Sequence, residues 1–275
     1  MLQADESTVD VWDVDVPTCA HFDADDFRSA LSQDEFRRAE RFRYAPDRHR
    51  YCAARLLLRT LLARYTKRRA QDMRFAYSRH GKPRLIRDAP HRDVRFNVSH
   101  SRSRILFAFA HDVDVGVDIE HVQQGMFDIE VARSHFTDPE FALLMRSAEH
   151  RQQSIFFDIW VRKEAVAKAA GLGLSLDLKT FDVLPAVSPE ATAAAVIRLR
   201  TKARTQDFHL QQLDVGSGFA AAFAVAGDAA CRVRHIRADA DDIMRSGGPD
   251  SAWAKGAPCG APSDAGKGAQ DRGKL

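Results

Sequence analysis

Asp118 and Glu120 stand two positions apart in Gly116-Val117-Asp118-Ile119-Glu120, with apolar residues alternating between the acids. That alternation predicts a strand with Val117 and Ile119 turned to a core and both carboxylates on the opposite face. Neighbouring carboxylates repel unless a cation lies between them. A hard divalent ion such as Mg2+, bound by oxygen at about 2.0–2.1 Å, is the usual remedy; a solvated strand face is the other reading. A further acid lies in Trp160-Val161-Arg162-Lys163-Glu164-Ala165-Val166-Ala167-Lys168. On a helix, Trp160, Glu164 and Lys168 fall at i, i+4 and i+8 and form one row, the acid between an aromatic and a base. The row belongs to a site or is an exposed Glu–Lys pair, and the tryptophan argues against full exposure.

Two more segments present groups suited to phosphate. Phe96-Asn97-Val98-Ser99-His100-Ser101 reads as a strand breaking into a polar turn, where hydroxyl, imidazole and backbone N–H groups could cradle an anion. A Ser-His nucleophile pair is the competing reading, but adjacent strand residues point to opposite faces. Gly81-Lys82-Pro83 is a stiff turn that presents a lysine. Only nine of the 41 basic residues are lysine, and Lys82, Lys163 and Lys168 all fall within these segments.

The elements that must carry these residues follow from the same patterning. Val9–Val16 alternates and ends before Pro17, as a strand does. Asp23–Phe42 reads as two short helices, and Pro46 opens a longer one that runs to about Tyr65. Strands are expected near Met73–Tyr77, Val94–Val98, Ile105–Ala110 and Val115–Glu120. Helices near Asp138–Ser147 and Ser154–Ala170 then precede strand-like runs near Phe181–Leu184, Ala194–Leu199, Phe208–Leu213 and Phe219–Ala226. Helices followed by antiparallel strands, twice over, predict an α+β fold of two similar halves, residues 1–113 and 114–245. Residues 246–275 are rich in Gly, Ala, Pro, Ser and Lys and bury too little surface to offset ordering entropy, so a disordered tail is expected.

Composition narrows the class. The 275 residues are 45% hydrophobic, enough for one large core or two domains of ordinary size, and no apolar stretch reaches the roughly 20 residues of a membrane helix. The acidic start, Met1 to Glu6, lacks the basic end and apolar run of a signal peptide, so a cytoplasmic protein is expected. Cys19, Cys52, Cys231 and Cys259 are scattered with no CxxC pair, which argues against a zinc site or disulfide framework and for reduced thiols. A net charge of +3 with arginines dispersed along the chain does not describe a nucleic-acid binder.

Asn-Val-Ser-His-Ser, then Gly-Val-Asp-Ile-Glu, then Trp-x-x-Lys-Glu-Ala-x-x-Lys, in this order, resembles the 4′-phosphopantetheinyl transferase superfamily, in its large pseudo-dimeric type. The resemblance runs from about Glu35 to Leu184 and includes Asp47-Arg48-His49-Arg50 and Gly171-Leu172-Gly173-Leu174-Ser175-Leu176. It implies two halves related by a pseudo-twofold axis and transfer of the 4′-phosphopantetheine of coenzyme A to a serine of an apo acyl or peptidyl carrier protein. It further implies Asp118, Glu120 and Glu164 as Mg2+ ligands, Glu164 as the base, and Lys168 on the pyrophosphate and leaving adenosine 3′,5′-bisphosphate. Arg50, Lys82, Ser99 and His100 would hold coenzyme A phosphates, with Arg37 a further basic contact. His80 stands where the family commonly has an aromatic residue. The segment Asp128–Met145, with Phe127, Phe136, Phe141, Leu144 and Met145, would meet the carrier, steered by Arg133 and Arg146; an ordinary amphipathic helix pair is the other reading. A monomer is implied, since both halves lie on one chain. A non-catalytic coenzyme A or nucleotide binder of the same fold is the alternative.

Overall fold

The computed structural model describes residues 8–16, 27–28, 30–86, 93–123, 127–184, 194–201, 204–227 and 231–245. Chain order in the first half is β1 (Thr8–Asp15), α1 (Gln33–Ala39), α2 (Ala45–Thr66), β2 (Phe75–Tyr77), β3 (Pro83–Leu85), β4 (Val94–Ser101) and β5 (Arg104–His111). The second half runs β6 (Val115–His121), α3 (Ile129–His135), α4 (Asp138–Arg146), α5 (Glu149–Ala170), β7 (Ala195–Arg200), β8 (Thr205–Gln212) and β9 (Phe219–Ala226), followed by β10 (Arg232–Asp239) and α6 (Ala240–Arg245).

The helix boundaries follow local chemistry. Ser32 and Glu35 close a capping box on α1, as Thr137 and Glu140 do on α4, each satisfying N-terminal N–H groups that have no partner within the helix. Pro46 sits in the first turn of α2, where its missing N–H costs nothing. Helix α5 stops at Gly171, whose φ of 70° is the left-handed cap that glycine adopts without strain.

Alternation along the strands builds the layers. On β5, Ile105, Phe107 and Phe109 join a core with Trp12, Val14, Leu57 and Leu61 beneath α2. The intervening Leu106, Ala108 and Ala110 face the other way and meet Val117 and Ile119 of β6 and Phe223 of β9. Beyond them, Ala220, Ala222 and Ala224 of β9 pack with Ile159, Val166 and Ala169 of α5. The molecule is thus helix, sheet, sheet, helix. The first sheet has order β10-β1-β5-β4, the second β6-β9-β8-β7, and β2 and β3 form a small ribbon. In each half the opening strand pairs antiparallel with the closing one, β1 with β5 and β6 with β9, and a helix of 22 residues covers the sheet. This is the expected pseudo-twofold α+β architecture.

Two expectations need correction. Phe181–Leu184 is not a strand: the carbonyls of Leu178 and Phe181 accept from Lys163 Nζ, and the Val183 N–H donates to Glu140, so buried side chains replace a ladder. Residues 232–245 do not belong with the second half. Strand β10 pairs in parallel with β1, and α6 joins the α2 core through Ala240 and Ile243. Charge reinforces this ladder: Asp10 is fully buried in β1, and Arg234 of β10 clamps both its oxygens at 2.6 Å. The expected tail, residues 246–275, lies outside the described residues, as do Cys19 and Cys259; of the other cysteines, Cys52 is buried and Cys231 half-buried, both free thiols.

Gly116 sets the distance between β6 and α5. A Cβ there would lie 2.1 Å from the Ala165 carbonyl oxygen and 2.3 Å from the Ala169 nitrogen, both backbone atoms that cannot rotate away. Only glycine lets the strand come so near the helix that carries Glu164 and Lys168. Gly116→Ala is expected to destabilise the protein by about 1–3 kcal/mol or more, as overpacking does. Urea or thermal melts check this, and an unchanged midpoint would mean that the spacing is not fixed at this residue.

Candidate active site

Strand β6 lies at the edge of its sheet, so alternate main-chain groups along it have no strand partner on that side. Side chains take them. Lys82 Nζ donates to the Val115 carbonyl at 3.1 Å, and the Val117 N–H donates to Asn97 Oδ1 at 2.9 Å. Lys168 Nζ donates to the Val117 carbonyl at 3.2 Å, and the His121 N–H donates to Ser101 Oγ at 3.0 Å. Lys82, Asn97 and Ser101 belong to the first half, so this edge is also the seam between the halves.

Along the face of β6 turned to α5 stand the two acids. Asp118 is 1% exposed. Its Oδ1 accepts from Lys168 Nζ at 2.7 Å and Ser99 Oγ at 2.8 Å, while its buried Oδ2 has no hydrogen-bond partner. Lys168 Nζ also donates to Ser99 Oγ at 2.9 Å. Glu120, half-buried, accepts from Ser101 Oγ at 3.3 Å. Glu164 is 7% exposed and, with Lys168, lines a cleft of about 340 Å³. Among the described residues no three His, Cys, Asp or Glu side chains stand gathered as a ready metal site. The buried, unpartnered carboxylate oxygen of Asp118 nevertheless suits a hard cation, and Mg2+ commonly uses one or two carboxylates with water and substrate phosphate for the rest.

The cleft is walled from both halves. Arg38, Tyr51, Arg55, Tyr77, His80, Lys82 and Asn97 come from the first and Glu164, Lys168, Gly171 and Gly173 from the second. Burial lowers the Lys82 ammonium to about 8, with Asp114 opposing the shift and Arg95 adding to it. Burial likewise pushes the Tyr51 hydroxyl up to about 12, and that hydroxyl has no hydrogen-bond partner. The Arg38 guanidinium lies over both the Tyr51 and the Tyr77 rings. At the mouth, His80 Nε2 accepts from Arg79 and Nδ1 contacts Ser175 Oγ at 3.1 Å, a bond across the two halves.

The sequence-derived candidates are distributed unevenly in this arrangement. Asp118, Ser99 and Lys168 form one bonded cluster, Glu120 lies along the same strand face, and Glu164 and Lys82 line the cleft. Ser99 is buried on Asp118 and Lys168, so its hydroxyl serves those groups rather than standing open as a phosphate contact. His100 is half-buried and alternates with Ser99, sharing the β4 face of Val98, which lines the cleft. Arg50 is half-buried beside Asp47, which it meets at 3.2 Å. Arg37 is exposed on α1 opposite Asp34, and the neighbouring Arg38 is the one that lines the cleft. In the expected carrier-binding segment, Phe136 and Leu144 are core residues, whereas Met145 is exposed and Arg133 pairs with Glu130 on the surface. Sequence reasoning missed Arg38, Tyr51, Tyr77 and Asn97.

Lys163 does a different job from its neighbour Glu164. It is fully buried, 2.8 Å from the equally buried Glu140, with its remaining protons on the Leu178 and Phe181 carbonyls. Burial lowers its pKa and Glu140 opposes the shift. The pair ties α5 to α4 and to the 178–183 segment.

Comparison with known proteins assigns the family. Residues 114–224 match the family model for the 4'-phosphopantetheinyl transferase superfamily, and residues 16–111 match that for the 4'-phosphopantetheinyl transferase N-terminal region. The 4'-phosphopantetheinyl transferase HetI of Nostoc sp. is 32% identical over 202 residues, 74% of this chain and 81% of that protein. The 4'-phosphopantetheinyl transferase Sfp of Bacillus subtilis is 32% identical over 157 residues, 57% of this chain and 67% of its own. The phosphopantetheinyl transferase of Thraustochytrium sp. is 30% identical over 244 residues, covering 82% of this chain and 83% of that one. The chain belongs to the 4′-phosphopantetheinyl transferase superfamily. It is an enzyme of the Sfp-like type. Among the described residues no helix is long and apolar enough to cross a membrane.

The buried Lys163–Glu140 pair makes a stability test separable from chemistry. Lys163→Met strands Glu140 in the core and is expected to cost about 3–5 kcal/mol, Glu140→Leu a similar amount, and the double variant less than the two together. Equilibrium urea unfolding of both single variants and the double variant checks this; losses that simply add would mean that the pair is not coupled.

Proposed function

We propose that this protein transfers the 4′-phosphopantetheine of coenzyme A to a serine hydroxyl of an apo acyl or peptidyl carrier protein, in a Mg2+-dependent reaction that releases adenosine 3′,5′-bisphosphate. The observation that carries the reading is the cleft between the halves, where Lys82, Arg38 and Lys168 meet Glu164 and the cluster behind Lys168 holds an unpartnered carboxylate oxygen of Asp118. Asp118, Glu120 and Glu164 would hold the cation, with diphosphate oxygens and water completing its shell. When bound, Mg2+ would supply positive charge to offset that of the diphosphate.

The rest of the chemistry falls to the chain's own groups. A bond forms between the carrier serine oxygen and the phosphorus next to pantetheine, and the bond from that phosphorus to the adenosine bisphosphate breaks. Glu164 accepts the serine proton, directly or through water. Lys168 donates hydrogen bonds to the leaving phosphate as its charge grows. Lys82, Arg50, His100 and Arg38 supply further charge for the phosphates of coenzyme A, Arg38 in place of Arg37. Ser99 acts through Lys168 and Asp118, holding both. The carrier approaches over α3 and α4, where Met145 and Arg146 are exposed and Phe136 is not. Both walls of the cleft come from one chain, which supports a monomer, and a reaction on coenzyme A and carrier proteins supports the cytoplasm.

Intact-mass measurement of an apo carrier protein incubated with this protein, coenzyme A and Mg2+ tests the proposal. The carrier is expected to gain one phosphopantetheine, and chelator or Asp118→Ala is expected to abolish the gain. Glu164→Gln should slow transfer by about 10²-fold or more while leaving the melting temperature near wild type. Coenzyme A binding without transfer to carriers from several pathways would favour a non-catalytic binder instead.

A further inference from the structure

On β4, Asn97, Ser99 and Ser101 occupy alternate positions and so project to one face. Their partners advance along β6 in the same direction: the Val117 N–H, the Asp118 carboxylate, then Glu120 with the His121 N–H. The β4 backbone is itself held by its ladder to β5, in which Asn97, Ser99 and Ser101 stand opposite Ala108, Leu106 and Arg104. A fixed strand of the first half therefore carries a polar row that reads the edge of β6, side chain to main chain, where a neighbouring strand would otherwise lie.

Ser101 is the member with a defined polarity. The His121 N–H points at its oxygen at 3.0 Å, which leaves the hydroxyl proton to be donated, and the acceptor within reach is Glu120 Oε2 at 3.3 Å. A backbone group of β6 thus orients the serine, and the serine orients a carboxylate two positions from Asp118. We infer that Ser101 is a positioning residue: from the opposite half it fixes the Glu120 carboxylate in the attitude needed to share a cation with Asp118. Asn97 supports it by fixing the register of β6 at Val117. The inference rests on the cation reading given above.

The test titrates Mn2+ into the full-length protein with coenzyme A present, followed by electron paramagnetic resonance, for wild type, Ser101→Ala and Ser101→Thr. Ser101→Ala is expected to bind Mn2+ about 10- to 100-fold more weakly, the usual cost of removing the partner that orients a metal-binding carboxylate. Ser101→Thr, which keeps the hydroxyl, is expected to recover the affinity to within about two-fold of wild type. Transfer by Ser101→Ala should show the same split, with the metal requirement raised and the rate restored at high Mg2+. Amide exchange at His121 should quicken in Ser101→Ala and not in Ser101→Thr, a readout independent of any metal. Should Ser101→Ala melt far below wild type, Ser101→Cys, similar in size but a weak donor, replaces it with the same expected loss. Unchanged Mn2+ affinity in the Ala or Cys variant, with wild type binding the ion, overturns the positioning role and leaves the metal reading intact. Wild type that binds no Mn2+ overturns the metal reading and this inference together.

Discussion

An edge strand whose free side is closed by side chains is the constraint on which this molecule depends. A row of main-chain donors and acceptors at a sheet edge must find partners once it is buried, because each one left bare costs as much as a lost hydrogen bond. In β6 those groups are met by Lys82, Asn97, Lys168 and Ser101. Because three of the four come from the first half, association of the halves and satisfaction of the edge are a single event. The same strand carries Asp118 and Glu120 on its α5 face, so the geometry of the site is inherited from the seam. Neither half has this site on its own.

The two halves share a topology but close their buried charges differently. The opening strand of the first half buries Asp10, and Arg234 and Tyr65 leave neither oxygen without a donor. Glu35 is likewise saturated between Arg55 and Arg59, which pull its carboxyl below the usual range against the opposing effect of burial. The opening strand of the second half buries Asp118 and leaves Oδ2 without a partner. A buried carboxylate oxygen in that condition is costly. That cost is unexplained by packing, since the equivalent layer of the first half shows that the fold can satisfy an acid fully; it makes sense where a further positive group is to be accommodated.

What the sequence made legible was local, and what it hid was the pairing of distant residues. The alternation of β6 and the i, i+4 row of α5 need only neighbours along the chain, and both stand as read. Arg37 and Arg38 differ by one step of about 100° around a helix of two turns, and α1 has too few apolar residues to fix that phase from sequence. Phe181–Leu184 is apolar enough to suggest a strand, yet its backbone is spent on Lys163 and Glu140, which no local pattern reveals. Strand β10 reads Arg-Val-Arg-His-Ile-Arg, with little apolar run to mark it, and its partners are the main chain of β1 and the buried Asp10 and Asp13, more than 220 residues away. The Asn97–Val117 bond is of the same kind: a polar residue in a strand could face solvent, a ligand or an edge, and only the assembled sheets decide.

The adjacency of Lys163 and Glu164 follows from the same reasoning about phase. Successive residues on a helix point about 100° apart, so a residue pinned on one side fixes the direction of the next. Lys163 is pinned hard, by an ion pair and two carbonyls in a fully buried pocket beside the Phe181 ring. With Lys163 pinned and Gly116 holding β6 against α5, the row of Glu164 and Lys168 is turned toward the cleft, and Lys168 is held there by Asp118, Ser99 and the Val117 carbonyl. The orientation of the helix is thus set by the buried lysine one position from the cleft-lining Glu164.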